Sequence, residues 1–200
     1  MSNMDRIKQD YEQMKVVGKE LIGSYQQGYI GKTTSKVTLA NGKEVIVDTI
    51  TKNKRPGDAA VIVPITEDEK FVMVVQSRPN TRPGVVIEFP AGMVDADEDY
   101  FVAAKRELME ETGYDCKDIY ELEAHYQDQG CSAAVIRTFV ATGCKKVADL
   151  SLDSEERLDF IELSHDVVLD MVLSGDVKKV GINDAGSRLA FLTYIVKNGK

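Results

Sequence analysis

The amino-acid sequence predicts an α+β (mixed α/β) protein with helices packed on a sheet. Two kinds of segment lead there. Short apolar or alternating runs, such as Lys36–Leu39 and Ala59–Ile65, read as strands. Glu98–Thr112 has helical spacing and is followed by a glycine stop. The two kinds are intermixed along the chain, with no internal repeat or low-complexity tract.

Taken in order, Asp5 to about Leu21 reads as a helix, because Ile7, Tyr11, Met14 and Leu21 fall near helical spacing and Gly23 offers a stop. A hairpin follows: Lys36–Leu39, the tight-turn pair Asn41-Gly42, then Val45–Val47. Thr51–Asp58 reads as a linker, which divides the chain into an N-terminal helix and β-region, 1–55, and a main domain, 56–200. Ala59–Ile65 and Phe71–Gln76 are strands joined by the polar turn Thr66–Lys70. Val85–Phe89 is a short strand ended by Pro90. The helix Glu98–Thr112 closes at Gly113. Ile119–Tyr126, Val135–Thr142 and Leu158–Leu163 are strands. Ser164 is placed to cap a helix ending at Gly175, and Asn183 or Asp184 to cap a last helix reaching about Val196.

With 200 residues and 43% apolar content, the chain can build a buried core. A net charge of −8 argues against a nucleic-acid-binding surface, which needs clustered Lys and Arg. Cys116, Cys131 and Cys144 form neither a disulfide framework nor a zinc ligand set, which suits reduced thiols. Met1–Asp10 is polar, and the apolar run Ala59–Ile65 is too short to span a bilayer. The expectation is a soluble, cytoplasmic protein without membrane or nucleic-acid partners.

Chemistry concentrates in Gly92–Tyr114. Glu107, Glu110 and Glu111 stand at i, i+3 and i+4 of one helix, so three carboxylates share a face. Taken alone, such a face is more often merely solvated. A hard divalent cation such as Mg²⁺ or Mn²⁺ would turn the mutual repulsion into attraction. Phe101, Ala104 and Leu108 form the neighbouring apolar stripe.

The whole segment is more specific. It runs Gly92, five residues, Glu98, seven residues, Arg106-Glu107-Leu108, one residue, Glu110-Glu111, one residue, Gly113-Tyr114. This resembles the Nudix box at every specified position, with Tyr114 where the family more often has an aliphatic residue. The resemblance implies a Nudix α/β/α sandwich over 56–200 and a Mg²⁺- or Mn²⁺-dependent hydrolase. In it Glu107 and Glu111 would be the principal metal ligands, Glu110 a supporting carboxylate, and the Ala91 carbonyl a further ligand. Arg106 would orient the glutamates. Gly92 and Gly113 would allow tight turns, and Glu98 would brace the loop.

Outside the box, Gln76-Ser77-Arg78, Glu88-Phe89-Pro90-Ala91-Gly92 and the C-terminal stretch Asp166–Val196 resemble the ADP-ribose pyrophosphatase group. That resemblance implies that Arg78 and Glu88 contact the substrate, a small nucleotide diphosphate, or brace its site. An N-terminal aromatic would stack on the base: Tyr29 or Tyr25, each also readable as a core or dimer-interface residue. It further implies a homodimer, with 1–55 serving dimerisation and substrate contact. The group's Ser-Pro-Gly is here Asp128-Gln129-Gly130, and a glutamate that acts as base in many relatives is Ala134. The base would then come from Glu155, Glu156 or Asp159, or a metal-activated water would react without one. Other readings are a Nudix hydrolase of nucleoside triphosphates, dinucleotides or another nucleotide sugar, and a non-enzymatic Nudix-fold regulator, which the intact box disfavours.

Overall fold

A computed structural model describes residues 3–152 and 157–199. The chain forms two compact units, Met1–Gly57 with Asp128–Ala134, and Asp58–Gln127 with Val135–Lys200.

The first unit opens with helix α1 (Asn3–Met14), of which no residue is buried. Strands β1 (Val16–Gln27), β2 (Ile30–Leu39) and β3 (Glu44–Lys52) follow as an antiparallel sheet in that order. The hairpin is where the sequence predicts it. Gly42 takes φ +82°, and its N–H donates to the Leu39 carbonyl at 2.9 Å. The helix expected to reach Leu21 is corrected: it ends at Met14, and Val16 onward pairs with β2 from Val16 opposite Leu39 to Gln27 opposite Ile30. The β-branched pair Val16-Val17 favours the strand, and an available partner overrides the weak helical spacing. The segment read as a linker is partly strand, since β3 runs to Lys52. Asp128–Ala134 returns to this unit, where Ile50 N–H donates to the Cys131 carbonyl at 2.7 Å.

The second unit contains β4 (Ala59–Thr66), β5 (Phe71–Ser77), β6 (Val85–Glu88), β7 (Ala91–Met93), α2 (Tyr100–Thr112), β8 (Tyr114–Asp115), β9 (Asp118–Tyr126), β10 (Val135–Lys146), β11 (Leu158–Leu163), α3 (His165–Ser174) and α4 (Ala185–Asn198). The main strand order is β11-β5-β4-β10-β8, with β6 on β5, β7 on β4 and β9 on β10. β4 and β10 are parallel, and β11 runs antiparallel to β5. β4 is apolar throughout because it is covered on both faces. Val61, Val63 and Ile65 join the cluster beneath α3 and α4, with Val168, Val172, Ala190 and Phe191. Ala60 and Ile62 join the cluster beneath α2, with Ala103, Ala104 and Leu108. The result is an α/β/α sandwich. Gly175 closes α3 in the left-handed region, although Ser164 makes no side-chain cap. Asp184, rather than Asn183, caps α4 through Ser187 N–H.

Candidate active site

The box helix α2 is set by its ends. Asp99 accepts from Phe101 N–H at 2.8 Å as N-cap, and Gly113 ends the helix at φ 71° with its N–H on the Met109 carbonyl. A Cβ at position 113 would strike the Ala148 carbonyl, so the turn requires glycine.

The buried residues of α2 form two rows at i, i+4, i+8: Ala104, Leu108, Thr112 and Ala103, Glu107, Glu111. The second row carries two carboxylates inward. Glu107 is 7% exposed and Glu111 2% exposed, which is not a solvated face. Glu110 lies outside the rows and is 40% exposed in its side chain.

Buried carboxylates require fixed partners. Glu111 accepts from Ala91 N–H at 2.9 Å, which ties the helix to the strand opening the box. The Glu107 carboxyl lies so close to Gly92 that a side-chain carbon there would collide with it. Arg106 gathers the rest. Its guanidinium donates to both oxygens of Glu98 at 2.9 Å, to Glu107 at 2.6 Å, to Glu110 at 3.1 Å and to the Met93 carbonyl at 3.1 Å. Glu98 also accepts from Asp95 N–H at 3.0 Å. The Arg106 hydrogen bonds hold the Glu98 carboxyl below the usual carboxylate range, and the same bonds, Glu98 first, raise the Arg106 guanidinium.

Beyond the box, Arg78 donates to Glu88 from Nε at 3.1 Å and Nη2 at 2.9 Å. Burial pushes the Glu88 carboxyl up, against the lowering effect of Arg78. Glu88 lies opposite Val74 on β5, three residues before Ala91. Phe89 N–H donates to Ser187 Oγ at 2.9 Å, and Ser187 N–H to Asp184 Oδ2 at 2.6 Å. The sequence reading overlooked Ser187. Its only signal is the Asp184-x-x-Ser187 spacing of a helix start.

Three carboxylates around one guanidinium, with Glu111 held beside Ala91, leave an excess of negative charge, and hard oxygen donors on a fixed loop and helix suit a divalent cation. Glu107, Glu110, Glu111 and the Ala91 carbonyl are the groups that would hold it. In the arrangement present, Glu107 and Glu110 face Arg106 and Glu111 faces Ala91 N–H. Among the described residues no three ligating side chains form a ready metal cluster.

The remaining expected residues are dispersed. Tyr29 sits exposed in the turn between β1 and β2, and Tyr25 is exposed beside a cavity of about 200 Å³ with Lys32 and Lys54; neither is a core residue. Ala134 is buried in the first unit, where Asp128 accepts from Gly130 N–H at 2.9 Å. Glu155 and Glu156 lie outside the described residues. Asp159 is opposite Val75, which packs into the cluster beneath α3 and α4, so it faces away from α2. Its carboxylate instead accepts from Phe160 N–H at 2.8 Å.

The family model described as NUDIX domain matches residues 55–174. The chain is 32% identical over 165 residues to an ADP-ribose pyrophosphatase of Bacillus subtilis (strain 168), covering 82% of this chain and 85% of that one. It is 39% identical over 120 residues to a methanol dehydrogenase activator of Bacillus methanolicus, covering 60% of this chain and 64% of the activator, under two thirds of its length. A crystal structure of an ADP compounds hydrolase shares the fold, with a TM-score of 0.72, 18% identity, and coverage of 94% of this chain and 96% of the other. With a complete box on the loop and helix, and a family match over more than half its length, the chain belongs to the Nudix family.

Proposed function

We propose that the protein hydrolyses the diphosphate of a nucleotide sugar, ADP-ribose foremost, to AMP and ribose 5-phosphate by attack of water. The observation that carries this is the inward row of α2: Glu107 and Glu111, buried and held against Gly92 and Ala91 by the folding of the box itself. The likeness to the Bacillus subtilis pyrophosphatase over most of both chains supports the substrate class.

A diphosphate resists water because its charges repel a nucleophile. Mg²⁺ or Mn²⁺, when bound by Glu107, Glu111, Glu110 and the Ala91 carbonyl, supplies charge neutralisation and acidifies water beside the phosphorus. The chain's own residues do the positioning. Arg106 keeps the carboxylates from splaying, and Glu98 keeps Arg106 in place through two hydrogen bonds. Arg78, with two N–H groups on Glu88, is a cation that can turn to a substrate phosphate or ribose. A carboxylate of the segment before β11, Glu155 or Glu156, takes the proton from water.

The first segment, 1–55, serves as dimer interface, and Tyr29 or Tyr25 meets the nucleotide base. Exposure of both rings and of the apolar face of α1 supports this reading. No helix among the described residues is long and apolar enough to cross a membrane, and reduced thiols suit the cytoplasm.

The departures Asp128-Gln129-Gly130 and Ala134 favour one second reading, a Nudix hydrolase of another nucleotide sugar, dinucleotide or triphosphate. Product analysis with Mg²⁺ separates the two. Conversion of ADP-ribose to AMP and ribose 5-phosphate, with solvent oxygen in one phosphate, is the expected result. An inert ADP-ribose beside an efficiently cut triphosphate would overturn the substrate assignment and leave the family intact.

A further inference from the structure

The strand segment that leaves the box brings two of the three cysteines to one apolar cluster. β8 pairs with β10 antiparallel, with Tyr114 opposite Lys146 and Asp115 opposite Lys145. β9 continues the same register, with Asp118 opposite Thr142. Two residues lie between these ladders on each strand, Cys116-Lys117 and Gly143-Cys144; Lys117 N–H donates to the Thr142 carbonyl at 3.0 Å, so the ladder breaks there and each cysteine stands next to a member of the Asp115–Lys145 pair. A second observation agrees: Gly143 has φ +63°, and a Cβ added to it would meet the Lys117 side chain at 2.8 Å. A third is burial on a common face, since Cys144 belongs to the cluster beneath α2 and Cys116 packs against it.

We propose that Cys116 and Cys144 form a dithiol that closes reversibly to an intrachain disulfide, a modification site at the exit of the box. Asp115 and Lys145, each adjacent to one of the cysteines, are a direct antiparallel pair, whose Cα atoms lie about 4.5–5.5 Å apart. A disulfide accepts about 4.4–6.8 Å, and closure needs Cys144 Sγ to leave the Ala141 carbonyl, to which it donates at 3.4 Å. The oxidant is a peroxide. Cys116, the more exposed of the pair, attacks as thiolate on a peroxide oxygen; the O–O bond breaks, hydroxide leaves, and a sulfenic acid forms. Cys144 Sγ then attacks the sulfenic sulfur; the S–O bond breaks, the S–S bond forms, and water leaves. Two thiols lose two electrons, and the peroxide becomes two waters. A low-molecular-weight thiol reverses the bond by exchange.

Burial raises both thiols, Cys144 to about 12, while Lys105 partly offsets the rise at Cys116. Closure is therefore slow at neutral pH and accelerates as pH rises. The bond would tie the chain just after Gly113, whose carbonyl already accepts Val147 N–H at 2.8 Å and Ala148 N–H at 3.1 Å.

The test is non-reducing peptide mapping of the full chain after excess hydrogen peroxide. A Cys116–Cys144 linked peptide is expected that disappears with dithiothreitol, is absent in Cys116→Ser and in Cys144→Ala, and persists in Cys131→Ser. The oxidised chain should also melt at a higher temperature than the reduced one, because a crosslink restricts the unfolded chain. Sulfinic or sulfonic acid at Cys116 with Cys144 still a free thiol would overturn the proposal, as would linkage through Cys131.

Discussion

Arg106 is the residue on which the local order of the box converges, because one planar fork meets Glu98, Glu107, Glu110 and the Met93 carbonyl. The roles of its partners can be separated by exchange. Glu107→Gln and Glu111→Gln should each lower kcat on ADP-ribose by orders of magnitude, since each deletes a charge where the transition state gathers its own. Glu98→Gln changes a group that meets Arg106 and Asp95 N–H and should cost much less. Equal, mild losses in steady-state kinetics at all three would point to an acidic surface without a catalytic role. Glu98 also makes a prediction about pH. Its folded pKa is lowered by Arg106, so its contribution to stability is complete above the unfolded value of about 4.3 and is lost as pH falls through the lowered value. A melting-temperature profile of Glu98→Gln should therefore lack part of the acid-side decline seen below about pH 4.3 in the parent.

At the scale of elements, register assigns residues to faces that spacing alone leaves open. β11 pairs with β5 without a bulge, so Phe160 and Glu162 look toward α2 while Asp159 and Ile161 look toward α3 and α4. Asp159→Asn should accordingly leave kcat near normal. One of Glu155→Gln or Glu156→Gln should lower it on the order of a hundredfold with KM little changed. Unimpaired turnover in both would remove the segment before β11 from the mechanism. α1 presents the opposite case, an element with a face and no cover. Met4, Ile7, Tyr11 and Met14 are all exposed, and a helix of this length is marginal alone in water. Ile7→Asp with Tyr11→Asp should shift the chain toward monomer in sedimentation velocity, and a monomeric parent would end the dimer reading.

For the whole molecule, metal links activity to stability. Excess EDTA should abolish turnover, and saturating Mg²⁺ should raise the melting temperature of the parent more than that of Glu107→Gln, because a ligand of the folded state alone stabilises it by mass action. Full turnover in chelator would remove the metal from the mechanism.

The box was legible as a sequence because its chemistry is local. One turn of helix separates Glu107 from Glu111, and glycines at both ends are demanded by contacts that leave no room for a Cβ. The apolar run of β4, the Gly113 stop of α2 and the cap of α4 were legible for the same reason, each depending on neighbours within a few residues. The extent of α1 was not. Val16–Leu21 becomes strand only because β2 lies beside it, and no spacing within the segment records that partner. Nor could the sequence turn Glu107 and Glu111 inward, bring Ser187 to Phe89, or set Asp159 on the face away from the box, since each rests on pairings between distant strands and helices. The spacing of the box carried the resemblance to the family, and local periodicity and turn chemistry predicted most of the elements; burial and strand register, which are properties of the assembled sheet, decided which carboxylates face the site.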